Sequence, residues 1–273
     1  MPELPEVEIV RRLLRPAMEG ARFVRVRTHR ADLRTAFPLD FAARLEGRTV
    51  ESLERRGKYL LAFLSSGEVL VMHLGMSGWF RVDAPDASPE AVRDLPLTPH
   101  DHVVFHMSSG AAVVFNDPRR FGFMDLVAPE TLKNGRGVGA LGPEPLSPAF
   151  DAAALARACR GKKTSLKAAL SDQRVVAGLG NIYVCEALHR ARLLPRRRAS
   201  TIATPSAAPR ELAHRLVTAI KKVLHGAIAR GDDYRFQVYD REGGRCPRRG
   251  CGGTIRRMTQ AGRSTFFCPV CQK

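Results

Sequence analysis

The sequence lacks the features that would insert a protein into a membrane or export it. None of its hydrophobic runs approaches the ~18 consecutive apolar residues that a membrane-spanning helix needs. Its first residues, MPELPEVEIVRR, are acidic and rich in proline, unlike the start of a signal peptide or a transit peptide. We therefore expect a protein that has no membrane partner.

Acidic residues are also scarce. Asp and Glu number 27 against 44 Lys and Arg, which gives a formal net charge of +17 and an isoelectric point near 10.5. So large a charge attracts polyanions, and a nucleic acid is the expected partner. A basic surface that is merely solvated is the alternative that composition alone leaves open.

Low-complexity tracts, internal repeats and a regular alternation of strands and helices are absent as well. The composition, 44% hydrophobic and 26% charged, is that of globular proteins, and 273 residues suffice for two domains of ordinary size. Because strand and helix patterns do not alternate, a parallel α/β sheet is not expected.

The spacing of apolar residues changes along the chain. Residues 3–18 have apolar positions at helical intervals and stop before Gly20, which predicts a helix. From about 22 to 127, short alternating or apolar runs are separated by turns, which indicates an antiparallel sandwich or barrel. The segment 130–150 is rich in Gly and Pro and is typical of a linker. Helical patterns follow at 148–159, 164–172, 181–192 and 206–230.

The six cysteines fall into two groups. Cys159 and Cys185 stand alone in helical segments and are expected to be small buried side chains. In a chain without an export signal, a cluster of four indicates a metal site rather than disulfides, and hence the reducing cytoplasm. With the spacing C-x4-C-x16-C-x2-C, four thiolates are expected to bind one structural Zn²⁺, and these are Cys246, Cys251, Cys268 and Cys271.

The residues between the two cysteine pairs predict a β-hairpin with its turn near Gln260-Ala261-Gly262. The segment 241–273 is too short for a hydrophobic core of its own, so zinc is expected to stabilise it. Most arginines of this hairpin need only neutralise phosphates. Arg263, beside the turn, is the one expected to reach a reacting phosphate or sugar.

Pro2 is a candidate nucleophile. Removal of Met1 before a proline is usual and leaves a secondary amine, and an α-amino group has a pKa of only about 8. Such an amine can attack C1′ of a nucleoside, expel the base and form an iminium ion that promotes β-elimination. Glu3 is the adjacent carboxylate that can move protons. The simpler interpretation is that Pro2 begins a helix whose positive end is favoured by Glu3 and Glu6.

Six motifs occur in one order: PELPEVE at the start, RRGKYL at 55–60, HLGMSG at 73–78, NDPRRFG at 116–122, GLGNIY at 178–183 and the terminal cysteine ribbon. Together they resemble the bacterial formamidopyrimidine-DNA glycosylase family of 8-oxoguanine glycosylases and AP lyases over nearly the whole chain. The resemblance implies an α+β fold with an N-terminal helix and antiparallel β-sandwich (1–132), a helix–two-turn–helix domain (133–240) and a zinc ribbon with a β-hairpin (241–273).

The resemblance also implies roles for individual residues. Pro2 matches the nucleophile that forms the Schiff base, and Glu3 matches its neighbouring acid. Lys58 matches the proton donor of β-elimination, and Arg263 matches the arginine of δ-elimination and phosphate binding. The implied substrate is double-stranded DNA containing oxidised purines or abasic sites, handled by a monomer in the bacterial cytoplasm.

Contacts to DNA are implied in the same way. His100, Arg119 and Lys162 match DNA-binding positions of the family, and His73 and Asn181 match its phosphate clamp. Met76, Phe121 and Arg119 match the side chains that fill the duplex when the damaged nucleotide is extruded. Without the resemblance, core packing would be the simpler interpretation of Met76 and Phe121.

Two features depart from the family pattern. The first cysteine pair has four intervening residues where two are more usual, which still lies within the spacing of zinc sites. After a helix that ends at Gly231, residues 232–236 run directly into a predicted strand, QVYDREG, where the family has a longer loop that covers 8-oxoguanine. This shortening leaves open the lesion preference and an endonuclease VIII-like alternative that acts on oxidised pyrimidines. A zinc-ribbon DNA binder without enzymatic activity is the alternative from another class.

Overall fold

The computed structural model of the chain describes residues 2–83, 97–134 and 137–273. These residues form two compact units, one made of Pro2 and Glu6–Gly139 and the other of Glu3–Pro5 and Ala140–Lys273. Each unit has its own hydrophobic core. No helix within the described ranges is both long and apolar enough to cross a membrane.

The described residues of the first unit form two four-stranded antiparallel sheets and three helices of 5 to 15 residues. One sheet has the order β1-β6-β7-β5 and the other has the order β2-β3-β4-β8. The elements are α1 (Leu4–Met18), β1 (Phe23–Thr28), α2 (Phe41–Leu45), β2 (Val50–Arg56), β3 (Tyr59–Leu64), β4 (Val69–His73), β5 (Trp79–Asp83), β6 (Asp101–Met107), β7 (Ala112–Asn116), β8 (Phe123–Val127) and α3 (Pro129–Asn134).

Residues of both sheets and of α1 share one buried core in this unit. Phe23, Phe105 and Phe115 come from the first sheet, whereas Leu60 and Met72 come from the second. Alternate residues of each strand therefore face the same core, as in a sandwich of two sheets. The predicted N-terminal helix and antiparallel β-sandwich are confirmed. The predicted linker at 130–150 begins with helix α3, whose first residue is Pro129, a position that suits the fixed φ of proline.

The second unit is helical and ends in a hairpin. Its elements are α4 (Ala152–Cys159), α5 (Leu166–Ser171), α6 (Asn181–Arg190), α7 (Glu211–Arg230), β9 (Arg256–Gln260) and β10 (Arg263–Phe267). The buried faces of α4 to α7 form one core, in which Cys159 is fully buried. Helix α7 begins at Glu211 rather than at 206, because Ala207 has a positive φ and Pro209 follows it closely.

The predicted strand over QVYDREG is wrong. Residues 237–243 form turns, and the backbone N–H groups of Gln237, Val238 and Tyr239 donate to the buried carboxylate of Glu186, each at 2.9 Å. A side chain of α6 thus takes the hydrogen bonds that a neighbouring strand would otherwise accept.

A buried carboxylate fastens helix α1 to β2 in the first unit. Glu8 accepts hydrogen bonds from Arg11 and Arg12 at 2.9 Å and from Arg55 at 3.2 Å, and Arg11 also donates to the Leu53 carbonyl. Burial on its own would raise the pKa of Glu8, but the hydrogen bonds from Arg11 and Arg12 outweigh it and lower the pKa to about 2. The ionised form of Glu8 therefore stabilises the folded unit.

We expect Glu8→Gln to lower the free energy of unfolding by about 1–2 kcal/mol at neutral pH, a value reduced for solvent screening of the partly exposed arginines. Because the pKa of Glu8 is lowered on folding, its contribution is present above the ordinary pKa of 4.5 and is lost as the pH falls towards 2. Urea unfolding of the unmodified protein and of Glu8→Gln, at pH 7 and below pH 3, measures this loss of unfolding free energy. The control, Glu19→Gln, breaks an exposed pair with Arg15 and should cost under about 0.5 kcal/mol. An equal loss for Glu8→Gln at both pH values would contradict the assignment.

Candidate active site and metal centre

A tight turn presents Lys58 in the first unit. Strands β2 and β3 are joined by Gly57 and Lys58 alone, since Arg56 pairs with Tyr59. Gly57 has a φ of 59° and Lys58 has no positive φ, which is the pattern of a type II′ hairpin turn. The glycine is therefore required by the turn, and Lys58 lies at its tip, half-buried.

His73 ends strand β4 on the same sheet. Its Nδ1 accepts a hydrogen bond from the Gly75 N–H at 3.0 Å, so the proton of the neutral ring is on Nε2. The ring stacks on Phe123, with centroids 5.4 Å apart. Burial lowers the pKa of His73 to about 4, and the charges of Lys58 and Arg34 act in the same direction. At neutral pH the ring is an uncharged N–H donor, which suits contact with a phosphate oxygen.

Two exposed apolar side chains and an arginine are grouped in the first unit. Met76 is 37% exposed and Phe121 is 43% exposed, although such side chains are usually buried. The Arg119 guanidinium lies over the Phe121 ring, 4.8 Å from its centroid. Such a group can enter a duplex, because it offers an apolar wedge together with a hydrogen-bond donor.

The carboxylate of Asp117 ties together the two turns that present these side chains. One oxygen accepts a hydrogen bond from the Ser77 hydroxyl at 2.6 Å, and the other accepts from the Gly122 N–H at 2.8 Å. Ser77 in turn accepts from the Arg119 N–H at 3.1 Å. Asp117 is fully buried, so the turns around Met76 and Phe121 are held as one body.

In the second unit, helix α6 binds the carboxylate of Glu3 at its N-terminal end. Oε2 accepts from the N–H groups of Gly180 at 2.9 Å and Tyr183 at 3.4 Å, and Oε1 accepts from Ile182 at 3.0 Å. These are N–H groups that have no partner within a helix, and the helix dipole also favours a negative charge there. Any Cβ at position 180 would overlap the Glu3 carboxylate, so glycine is required there.

Helix α6 and helix α5 also hold strand β10. Asn181 donates from Nδ2 to the Ser264 carbonyl at 2.9 Å, and Lys167 donates to the Thr265 hydroxyl at 2.6 Å. Burial lowers the pKa of Lys167. Arg263 directly precedes these two anchored residues and is exposed at the hairpin tip.

The tip of the hairpin has the predicted turn. Gln260 pairs with Arg263, and Ala261 and Gly262 between them have φ values of 48° and 71°. Two positive φ values identify a type I′ turn, which matches the twist of the flanking strands.

Four sulfur atoms meet at the base of the hairpin. The Sγ atoms of Cys246, Cys251, Cys268 and Cys271 all lie within 4.8 Å of one another. Two of the separations are 3.9 Å and 3.5 Å, close to the ~3.8 Å between thiolates that bind one zinc tetrahedrally at ~2.3 Å. The donor set therefore fits a structural Zn²⁺ with no open position. Cys185 is buried, as expected, in the same apolar cluster as Cys246 and Cys268 but is not one of the four grouped sulfurs, and burial raises its pKa to about 11.

The structure also describes Pro2, His100 and Lys162. Pro2 is half-buried and belongs to the first unit, and Met1 lies outside the described residues. His100 is exposed, and its carbonyl accepts from the Asp117 N–H at 2.9 Å. Lys162 is half-buried just after α4.

Two side chains that organise these sites are not predicted from the sequence. Asp117 lies in the NDPRRFG motif, yet a carboxylate gives no local sign that it will join two distant turns. Lys167 lies in the apolar run SLKAAL, and a single lysine there could have signalled a buried and bonded amine.

Three family models match the chain in order. They are the formamidopyrimidine-DNA glycosylase N-terminal domain over residues 1–124, its H2TH domain over 141–237, and the zinc finger found in FPG and IleRS over 243–273. The chain belongs to the formamidopyrimidine-DNA glycosylase family. It is therefore a DNA-repair enzyme of the base-excising type, with lyase activity at abasic sites.

Relatives in this family match over full length. The formamidopyrimidine-DNA glycosylase of Afipia carboxidovorans is 59% identical and that of Bradyrhizobium diazoefficiens is 58% identical, each over 100% of both chains. The MutM (Fpg) protein of Thermus thermophilus is 39% identical, with a TM-score of 0.81 over 99% of this chain and 98% of that one. A complex of Lactococcus lactis Fpg with DNA containing an abasic site has 31% identity and a TM-score of 0.85 over 100% of both chains.

The alignments with the curated relatives are longer than this glycosylase. Their alignments span 294 to 295 positions, although this chain has only 273 residues. The relatives therefore have insertions relative to this chain.

We expect Asp117→Asn to weaken binding to a duplex with a stable abasic-site analogue by about tenfold, because an amide cannot accept both hydrogen bonds. Binding to undamaged duplex should change little, since it depends on backbone charge. Fluorescence anisotropy titrations measure both affinities. Asp125→Asn, at an exposed carboxylate, is the matched control. Equal weakening of binding to both duplexes would show that Asp117 does not act by positioning Met76, Arg119 and Phe121.

Proposed function

We propose that Pro2, freed by removal of Met1, is the nucleophile of a bifunctional glycosylase and lyase that removes oxidised purines. Its secondary amine forms a bond to C1′ of the damaged nucleotide and gives up its N–H proton, and the bond from C1′ to the base breaks. The base leaves with the bonding electrons and takes up a proton. The sugar ring opens as the C1′–O4′ bond breaks and O4′ is protonated, which leaves an iminium ion on Pro2.

The iminium ion acidifies the proton on C2′. Loss of that proton expels the 3′ phosphate by β-elimination, and a second elimination expels the 5′ phosphate. Lys58 serves as the proton donor in the first elimination, and Arg263 binds the phosphate that leaves in the second. The II′ turn that presents Lys58 and the exposed position of Arg263 at the hairpin tip support these roles.

The observation that carries the proposal is the fixed carboxylate of Glu3. Three N–H donors hold it, and Pro2 directly precedes it in the chain. A proton-transfer group beside an amine nucleophile is what base departure and ring opening both require, because each leaves a basic atom to be protonated. Glu3 therefore moves protons in the glycosylase step.

DNA is bound through separate groups of side chains. His73, as an uncharged N–H donor, and Asn181 contact phosphates, together with His100 and Lys162. Met76, Phe121 and Arg119 fill the space that the extruded nucleotide leaves, since C1′ cannot be reached inside a stacked duplex. The enzyme acts as a monomer, and its DNA partner places it in the bacterial cytoplasm.

The short connection after α7 determines how well the enzyme can discriminate among lesions. Residues 231–236 form one 3-10 turn and an aromatic group in which Tyr234 and Phe236 lie 5.7 Å apart. With little chain to cover the extruded base, discrimination among oxidised bases is expected to be weaker than in relatives with a longer loop. Oxidised purines remain the main substrates, and oxidised pyrimidines are the second candidate.

We expect Glu3→Gln to lower the rate of 8-oxoguanine release by about 100-fold or more, because the group that moves the proton is lost. Cleavage at a preformed abasic site should fall much less, since its sugar already exposes an aldehyde to the amine. Single-turnover assays on duplexes that contain 8-oxoguanine, thymine glycol or an abasic site measure the three rates.

The control for this experiment is Glu19→Gln, a change at a half-buried carboxylate just beyond the far end of α1. Equal losses on 8-oxoguanine and abasic duplexes would contradict the role of Glu3 in base release. Faster release of thymine glycol than of 8-oxoguanine by the unmodified enzyme would replace the purine assignment by the pyrimidine one.

A further inference from the structure

The C-terminal end of α6 lies against the first cysteine pair. His189, in the last turn of the helix, is 4% exposed, and its Nε2 lies 3.4 Å from the Sγ of Cys246. Among the described residues, the four cysteines alone bring their ligand atoms within 4.8 Å of one another, so His189 lies outside the ligand set. A thiolate bound to zinc has no proton to donate, and Nε2–H of His189 is then the donor of this hydrogen bond.

Arg248 fastens the same cysteine pair to the helix. Its Nη2 donates to the carbonyls of His189 at 3.0 Å and Arg190 at 3.3 Å, which are among the last carbonyls of α6. A cation at this end of a helix is favoured by the dipole, and the His189 carbonyl accepts from Arg248 in addition to the Arg192 N–H at 3.1 Å. The four-residue spacing between Cys246 and Cys251 provides the place for Arg248.

The contacts of His189 and Arg248 compensate the negative charge of the metal centre. Four thiolates and one Zn²⁺ have a formal charge of −2, and Cys246 and Cys268 are buried. A buried negative charge is costly unless hydrogen bonds and nearby cations compensate it. His189 supplies a donor to one sulfur, and Arg248 supplies a positive charge to the same loop.

We propose that His189 and Arg248 are positioning residues of the zinc centre, which make retention of the metal depend on the C-terminal end of α6. His189 stabilises the thiolate of Cys246 by a hydrogen bond. Arg248 holds the loop between Cys246 and Cys251 against the helix. Because Arg248 donates to carbonyls of α6, it is not available to contact a phosphate as other arginines of the segment 241–273 are.

Release of zinc from the intact, zinc-loaded protein to an excess of a chromophoric chelator tests the proposal. His189→Phe keeps a large ring but removes the donor, and should release zinc about 10- to 100-fold faster. His189→Gln keeps an N–H donor and should restore a rate close to that of the unmodified protein. In the cobalt-substituted protein, His189→Phe should shift the thiolate-to-metal charge-transfer band to longer wavelength, because an unbonded sulfur holds its electrons less tightly.

Arg248 and Arg249 form a matched pair in one loop, since Arg249 is exposed. Arg248→Gln should release zinc faster, whereas Arg249→Gln should not. Unchanged release and an unshifted band in His189→Phe, with helix content retained, would overturn the role of His189. Equal acceleration in His189→Phe and His189→Gln would show that only ring packing matters. If His189→Phe does not fold, zinc release from Arg248→Gln and from Arg249→Gln is compared instead. Equal release rates for these two variants would overturn the proposal.

Discussion

The second unit and the proposed chemistry both depend on one interaction. The carboxylate of Glu3 accepts hydrogen bonds from the N–H groups at the N-terminal end of α6. Residues 3–5 belong to the same compact unit as α6, although more than 170 residues separate them in the chain. Three N–H donors fix the carboxylate, and Leu4 adds a backbone hydrogen bond to the Gly178 carbonyl at 3.2 Å. These hydrogen bonds fix the residue that directly follows Pro2 in the chain, so the proposed nucleophile adjoins an anchored segment.

Helix α6 organises most of the second unit from its own side chains. Asn181 holds strand β10 next to Arg263, Glu186 holds residues 237–239, and His189 reaches the zinc ligands. Glu186 is buried, which raises its pKa, although the three N–H donors act in the opposite direction. The rings of Tyr234, Phe236 and Tyr239 extend this arrangement to Phe266 of the hairpin through successive edge contacts. The short connection after α7 is thus bound to α6 by hydrogen bonds and by ring packing.

Features with local chemical signatures were predictable from the sequence. The zinc ligands follow from cysteine spacing, the hairpin turn from Ala261-Gly262, and the first helix from apolar spacing that ends before Gly20. Features that depend on partners distant in the chain were not predictable from the sequence. The strand predicted over 237–243 failed because a carboxylate 51 residues away takes its N–H groups. Asp117 and Lys167 were overlooked for the same reason, since their partners lie in other turns and strands. The roles proposed for Lys58 and for Met76, Phe121 and Arg119 come from the motifs of the family, because composition alone would make them ordinary surface or core residues.

Borohydride trapping tests the central claim, that Pro2 is the nucleophile, most directly. Reduction during reaction with a duplex containing 8-oxoguanine, and separately with one containing an abasic site, should fix a covalent adduct. Peptide mapping is predicted to place that adduct on residue 2, with Met1 absent, for both duplexes. An adduct on a lysine such as Lys58, or no adduct on the abasic duplex while the strand is still cut, would contradict the account.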